Sequence, residues 1–431
     1  MEVKPIYCGL ALGSASVRSD GEYLPCCNIL TTEWDTNYKS HEVYFDRKTG
    51  SLMKGVALSN DPSVRINSPG LKKVRSELLN GVWPKPCYKC KEVESYGIQS
   101  MRQMHNTYLV NLPLSDTVDP SSVKYLDLTF ETKCNSKCMT CGPTLSSFWE
   151  DEWYAIYPDK RLINMNRVSI NEEMSKKIVE LFPNLERISF IGGEPTISEE
   201  HLKFVKLLVE KGRSKRIHLS YITNLTGTTD ELLDIWKHFK NVNWTVSVDG
   251  YGPVNEYIRY PFPWSKVDGQ INTLMNFISD NVTRHYESEY SLGLSCTVSV
   301  FNVHDVVNLF KYWMDTANSH MQDEFLNIIS SCYVNKVTDP SCMSIDLLST
   351  EYRKPAIEKL NEFRSSLNIR KTHPSVLNSL ETLKQMLSLP HKHDREQLQR
   401  LKYFITKSDE FRKRNINDYI PGLMQEIDRL I

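Results

Sequence analysis

Hydrophobic and polar positions follow two rhythms along this chain, and the rhythms take turns. Short runs rich in β-branched and aromatic residues predict strands at Lys124–Phe130, Arg187–Ile191, Ile217–Thr223, Asn243–Val248, Ser291–Val300 and Phe325–Tyr333. Between them, apolar residues recur every three or four positions at Asn171–Phe182, Ser198–Gly212, Thr229–Phe239, Trp264–Ser279 and His304–Ala317, which predicts amphipathic helices. A strand then a helix, repeated about six times, predicts an α/β fold with a parallel sheet and right-handed crossovers. Six units fit a partial TIM-like (β/α)6 barrel, and a flat doubly wound sheet shows the same periodicity.

Flanking regions break the rhythm. Residues 1–115 are rich in Cys, Pro, Gly and turn signals, with one helix expected at Leu71–Leu79. Residues 120–335 carry the alternating pattern, and residues 340–431 are charged and helix-periodic without further strand signal. This predicts a Cys-rich module, a barrel and a helical C-terminal extension. The 431 residues carry 52 Lys and Arg against 53 Asp and Glu, a net charge of −1, so bulk attraction to nucleic acid or an anionic membrane is not expected. Hydrophobic residues at 40% are enough to build real cores. No apolar run approaches the ~18–20 residues of a membrane helix, and the N-terminus lacks a secretory pattern, so the expected location is cytoplasmic.

Cysteine placement changes the picture most. Of the 11 cysteines, eight fall in the first third of the chain, in tight groups. In a large neutral chain without an export signal, such groups favour metal or iron–sulfur ligation over disulfides. Cys296, Cys332 and Cys342 have no neighbour in sequence and read as core or incidental thiols. The run Cys134-Asn-Ser-Lys-Cys138-Met-Thr-Cys141 directly follows a predicted strand, at the strand end where α/β folds bind ligands. Three thiolates within eight residues can hold a cubane [4Fe–4S] cluster and leave one iron open; a zinc knuckle or a redox-sensing thiol cluster is the competing reading. At the next strand end, Gly192-Gly193-Glu194-Pro195 pairs glycines that allow close backbone approach with a carboxylate that can accept from an ammonium group.

In order, CxxxCxxC and GGEP resemble the radical S-adenosylmethionine (radical SAM) family. The resemblance continues through Tyr221-Ile-Thr223-Asn224, through Ser247-Val-Asp249-Gly250, which is similar to the SxDG of the peptide-modifying branch, and through Arg259. It implies that Cys134, Cys138 and Cys141 hold a catalytic [4Fe–4S] cluster whose fourth iron is chelated by S-adenosylmethionine. It further implies cofactor contacts from Gly192, Gly193, Glu194, Pro195, Asn224, Ser247, Asp249 and Arg259. The family usually has an aromatic residue before the third cysteine, where this chain has Thr140.

The N-terminal cysteines resemble the auxiliary-cluster module of the SPASM/twitch branch, through Gly21-x4-Cys26, Cys87-x-x-Cys90 and the following Gly97, Ser100 and Arg102. Here the module precedes the barrel, whereas in the branch it follows. Cys8, Cys26, Cys87 and Cys90 would supply four thiolates, with Cys27 spare or replacing Cys26; four soft ligands suit an auxiliary [4Fe–4S] cluster or structural zinc. The segments Val337–Leu347 and Tyr419–Met424 are similar to the outer parts of twitch proteins. Together these features imply reductive cleavage of S-adenosylmethionine to a 5′-deoxyadenosyl radical that abstracts hydrogen from a substrate. A low-potential donor, flavodoxin or ferredoxin, would be needed. The branch favours peptides but also serves nucleotides and aminoglycoside-like molecules, and no residue here decides among them. The alternative is a non-catalytic, zinc-stabilised peptide- or nucleic-acid-binding protein. His391 and His393 read as parts of a solvated loop.

Overall fold

The computed structural model describes residues 4–18, 23–30, 62–97, 99–158, 170–282, 289–320, 328–329 and 331–431. They divide into two compact units: residues 1–132, 162–220 and 234–240 on one side, and residues 133–161, 221–233 and 241–431 on the other. The fold is α/β with a mostly parallel sheet.

Four strands build the sheet of the first unit: β1 (Ser14–Val17), β2 (Tyr23–Leu24), β3 (Tyr125–Leu128) and β4 (Arg187–Phe190). β3 lies between β1 and β4, parallel to both, and β2 returns antiparallel beside β1. The predicted turn-rich N-terminus therefore supplies two strands that the alternation pattern did not show. Pairing is in register, with Ala15, Leu126 and Ile188 forming one row and Val17, Leu128 and Phe190 another. Both rows are buried and apolar. Successive side chains on a strand point to opposite faces. The other face therefore carries Ser14, Tyr125 and Arg187 in one row and Ser16, Asp127 and Ser189 in the next.

Helices Glu172–Leu181 and Glu199–Glu210 match the predicted periodicity, and their starts are capped by Asn171 and Ser198 accepting from Met174 and His201 backbone N–H groups. Phe204 and His201 pack their rings against Phe130 and Phe190. Burial drives the His201 pKa down to about 3, so the ring stays neutral in the core.

Arg75, on helix Pro69–Leu79, is the fastener of the N-terminal segments. It is fully buried and donates to Ala11 O (2.7 Å), Ile66 O (2.9 Å), Asp116 O (3.2 Å) and Asn67 Oδ1 (3.2 Å). One rigid fork thereby satisfies acceptors from three separated stretches of chain.

The rest of the sheet begins with β5 (His218–Thr223), whose residues fall partly in each unit. In the second unit β6 (Asn241–Ser247), β7 (Glu289–Val298) and β8 (Ser331–Lys336) run parallel, with β7 in the middle. A side chain at Gly293 of β7 would stand 2.5 Å from Ser331 Oγ and 3.2 Å from the Tyr333 ring, so a larger residue there would have to displace both. The last predicted strand, Phe325–Tyr333, is corrected: the strand starts at Ser331 and runs to Lys336, and residues 325–327 and 330 lie outside the described residues. Gly21 also lies outside them.

The C-terminal extension is helical as expected, at Thr350–Ser366, Pro374–Leu387, Arg395–Arg412 and Leu423–Leu430. Helix Pro374–Leu387 covers the edge strand β8: Ser375 Oγ accepts from Cys332 N (3.1 Å) and Ser379 Oγ donates to Cys332 O (2.7 Å). Two hydroxyls thus stand in for a missing neighbour strand. Among the described residues no helix is long and apolar enough to cross a membrane.

Replacing Arg75 by Met should cost about 3 kcal/mol of unfolding free energy, because several buried acceptors lose their donor at once. Urea denaturation measures this, and an unchanged midpoint would show that the fork fastens nothing.

Candidate functional site

The second unit holds the three-cysteine loop. Lys137–Cys138 pairs antiparallel with Arg259–Tyr260, and Cys141 N–H closes a turn onto Cys138 O at 2.9 Å. Cys134, Cys138 and Cys141 are all half-buried. The Cys141 thiol is pushed up to about 12, by burial first and then by the neighbouring Cys138 and Cys134 sulfurs, so the three stand within charge–charge range.

Arg259 reaches this group directly, with Nη1 at 3.6 Å from Cys138 Sγ. Its Nε is ion-paired to Asp249 Oδ2 at 2.8 Å. Burial works against the guanidinium charge, but Asp249 and then Cys138 more than offset it and raise its pKa. Asp249 is fully buried, and its other oxygen accepts from Thr297 N (2.7 Å). Both carboxylate oxygens are thus engaged within the protein, and Asp249 aims Arg259. Ser247 is half-buried at the end of β6, paired in register with Ser295.

Asn224 is drawn to the same loop. Its Oδ1 accepts from Thr226 N (2.9 Å) and Thr226 Oγ1 (2.7 Å), while its Nδ2 donates to Asn135 Oδ1 at 3.0 Å. Asn135 in turn donates to Thr226 Oγ1 at 2.9 Å. Asn135 was not singled out by the sequence; its only signal is its place directly after Cys134.

A buried arginine clamps the loop from behind. Arg412, at the end of helix Arg395–Arg412, donates through Nε to both oxygens of Glu152 (2.9 and 3.1 Å) and through Nη2 to Lys137 O (2.9 Å). Its guanidinium lies over the rings of Trp149 and Tyr260. Trp149 Nε1 donates to Cys138 O at 3.1 Å, and Met139 N–H to Ile258 O at 2.8 Å. The backbone carrying Cys138 is therefore tied on both sides. Burial raises the pKa of Glu152 even beside Arg412, so the pair is held at a desolvation cost.

The first unit holds the Gly-Gly-Glu-Pro turn at the end of β4. Gly192 has φ +111, and a side chain there would meet Thr129 Cγ2 at 2.4 Å, so only glycine fits. Gly193 N–H donates to Glu131 O at 3.3 Å. Glu194 is buried, and its Oε1 accepts from Thr196 N (3.1 Å) and Thr196 Oγ1 (2.7 Å), capping the short turn that Pro195 begins.

The same unit brings Cys8, Cys26, Cys87 and Cys90 together. Burial raises the Cys26 thiol most, followed by the charges of Cys87, Cys8 and Cys90. Cys8 is pushed up to about 11 by burial, partly relieved by Arg102. Arg102 is fixed by a bidentate pair with Glu94 (2.9 and 2.6 Å), and Ser100 also donates to Glu94 (2.6 Å). Gly97, just before, has φ +70. Cys27 faces elsewhere: after burial, Asp127 is the largest influence on its thiol. The structure thus groups Cys26, not Cys27, with the other three. Among the described residues no three His, Cys, Asp or Glu side chains converge closely enough to hold a metal ion. Cys296 and Cys332 are buried core thiols as expected, and His393 is exposed beside half-buried His391.

Replacing Arg412 by Met should cost about 3 kcal/mol, because buried Glu152 then keeps only Lys137 Nζ, at 3.9 Å, as a cation. Arg412→Met combined with Glu152→Leu should recover most of that loss, and denaturant midpoints of the three proteins decide it; equal losses in the single and double variants would remove the charge argument.

A search of curated proteins matches none. Among solved structures, the chain is similar to Streptococcus suis SuiB bound to precursor peptide SuiA, at 12% identity and TM-score 0.33, covering 77% of this chain and 60% of that one. It is also similar to SuiB bound to S-adenosylmethionine, at 14% identity and TM-score 0.34, covering 64% of this chain and 56% of that one. The chain thus spans little more than half the length of SuiB in these two structures. Residues 129–282, which include all three loop cysteines, the Gly-Gly-Glu-Pro turn, Asn224, Ser247, Asp249 and Arg259, match the model of the Radical SAM superfamily.

Proposed function

We propose that this chain is a radical SAM enzyme, built as a partial (β/α)6 barrel with an N-terminal auxiliary-cluster module and a C-terminal helical extension. The observation that carries the reading is the cluster loop: three half-buried thiols in charge range of one another, with Arg259 held by Asp249 against Cys138, inside the residues that match the superfamily. Such a soft, thiol-only donor set suits an iron–sulfur cluster, whose thiolates each bind a different iron and so need not converge on one point as the ligands of a single ion do. Held there, the cluster would supply one electron, received from flavodoxin or ferredoxin, for the reductive cleavage of S-adenosylmethionine.

The chain's own residues prepare that chemistry. Cys134, Cys138 and Cys141 would ligate the cluster. Arg259, positioned by Asp249, would offset the negative charge that thiolate ligation concentrates at Cys138. Asn224, fixed through Asn135 and Thr226, and Ser247 would present polar groups to S-adenosylmethionine. Gly192, Gly193 and Pro195 shape a turn that would receive the cofactor's amino group on backbone carbonyls and Glu194. In the first unit, Cys8, Cys26, Cys87 and Cys90 would hold an auxiliary [4Fe–4S] cluster, with Arg102 as the nearby positive charge. A peptide is the substrate class that the resemblance favours.

Anaerobic reconstitution with iron and sulfide should give brown protein that forms 5′-deoxyadenosine from S-adenosylmethionine under a strong reductant. Cys134→Ala should abolish this product while leaving roughly half of the bound iron. Arg259→Gln should lower the rate about 10–100-fold, as loss of an outer-shell partner does. Colourless protein carrying stoichiometric zinc would reject the reading.

A further inference from the structure

Asp127 sits within β3, on the polar face of the first unit's sheet, in a row between Ser16 of β1 and Ser189 of β4. It is 2% exposed. Burial raises the pKa of Asp127, while the Cys27 thiol and the Ser189 and Ser16 hydroxyls approach as hydrogen-bonding groups and favour its charged form. Yet neither carboxyl oxygen closes a hydrogen bond of full geometry. Among the described residues no lysine, arginine or histidine pairs with it, and Arg187, in the next row of the same face, lies over the Tyr108 ring at 4.2 Å.

Interior carboxyl groups are normally matched by a cation or by a full set of donors, since desolvation otherwise costs several kcal/mol. Both opposite-face neighbours in sequence, Leu126 and Leu128, are fully buried apolar residues, so the sheet could have carried an apolar side chain here. The surroundings are two hydroxyls and a thiol, groups that can turn to accept as readily as to donate. One carboxylate with two hydroxyls falls short of the six to eight oxygens a calcium ion takes. Cys27 is exposed as a residue although burial raises its thiol, so the cluster lies just beneath the surface at Cys27.

The geometry points to an ammonium-binding subsite, in which Asp127, flanked by Ser16 and Ser189, accepts from a primary amine entering past Cys27. The amine brings the positive charge that the described residues do not provide, and donors that can close on the carboxyl oxygens with full geometry, as charge-assisted hydrogen bonds. That this amine belongs to the enzyme's substrate rests on the function proposed above; the subsite itself does not.

Cys27 serves as the reporter. In the full-length, anaerobically reconstituted protein, N-ethylmaleimide labelling of Cys27 is followed by tandem mass spectrometry in the presence of n-butylammonium or its neutral counterpart n-butanol. Butylammonium should slow labelling about tenfold relative to butanol, the ratio expected of a charge-assisted contact. Asp127→Asn should remove that difference, with retained iron content showing that the variant is folded. Equal protection by the two probes in the unmodified protein, or the same discrimination in the Asn variant, would overturn the subsite. Colourless protein that still discriminates would keep the subsite and lose the enzyme; brown protein that cleaves S-adenosylmethionine without discriminating would do the reverse.

Discussion

The Arg412–Glu152 pair is the constraint on which the three-cysteine loop depends. The loop's two-residue ladder with Arg259–Tyr260 satisfies only part of its backbone, so its other carbonyls need side-chain donors. Arg412 supplies one to Lys137, Trp149 supplies one to Cys138, and the short ladder with Arg259–Tyr260 fixes the register. Burying this ion pair costs desolvation, which the bifurcated Nε contact and the two aromatic faces offset. The C-terminal helix ending at Arg412 is therefore part of the loop's support and not an appendage.

Charge is handled differently in the two thiol groups. At the three-cysteine loop, a guanidinium touches one sulfur and is itself aimed by a buried aspartate. Around Cys8, Cys26, Cys87 and Cys90, Arg102 acts at longer range and is anchored by Glu94. Both arrangements place a fixed positive charge beside sulfurs that burial alone would keep protonated. A cation so placed favours the thiolate form that metal ligation requires.

The sheet of the first unit keeps two faces with opposite characters. Ala15, Val17, Leu126, Leu128, Ile188 and Phe190 form a closed apolar layer. The reverse face is made of hydroxyls, a tyrosine, an arginine and Asp127. A strand buried on both sides is ordinarily apolar throughout. Here the second face carries buried Ser16, Asp127 and Ser189, while Tyr125 on the same face packs into an apolar cluster with Leu10, Leu12, Leu109 and Leu112.

Much of the fold was legible in the sequence. Periodicity alone located five of the six predicted strands and their helices to within a few residues, because alternating burial leaves a pattern of period two or 3.6 in any chain. The motif cysteines, the Gly-Gly-Glu-Pro turn, Asn224, Asp249 and Arg259 were readable as residue types at fixed spacing. β1 and β2 were not: four- and two-residue strands among turn signals are too short to show a period. Nor could spacing reveal that Asp249 faces Arg259, that Asn135 braces Asn224, that Cys26 and not Cys27 joins the other thiols, or that Arg412 closes on Glu152 across 260 positions. The sequence by itself determined the α/β alternation and the chemistry available at each strand end, since both are local. Tertiary structure alone decided which groups meet, because a contact between distant residues depends on how whole elements pack and leaves no local trace.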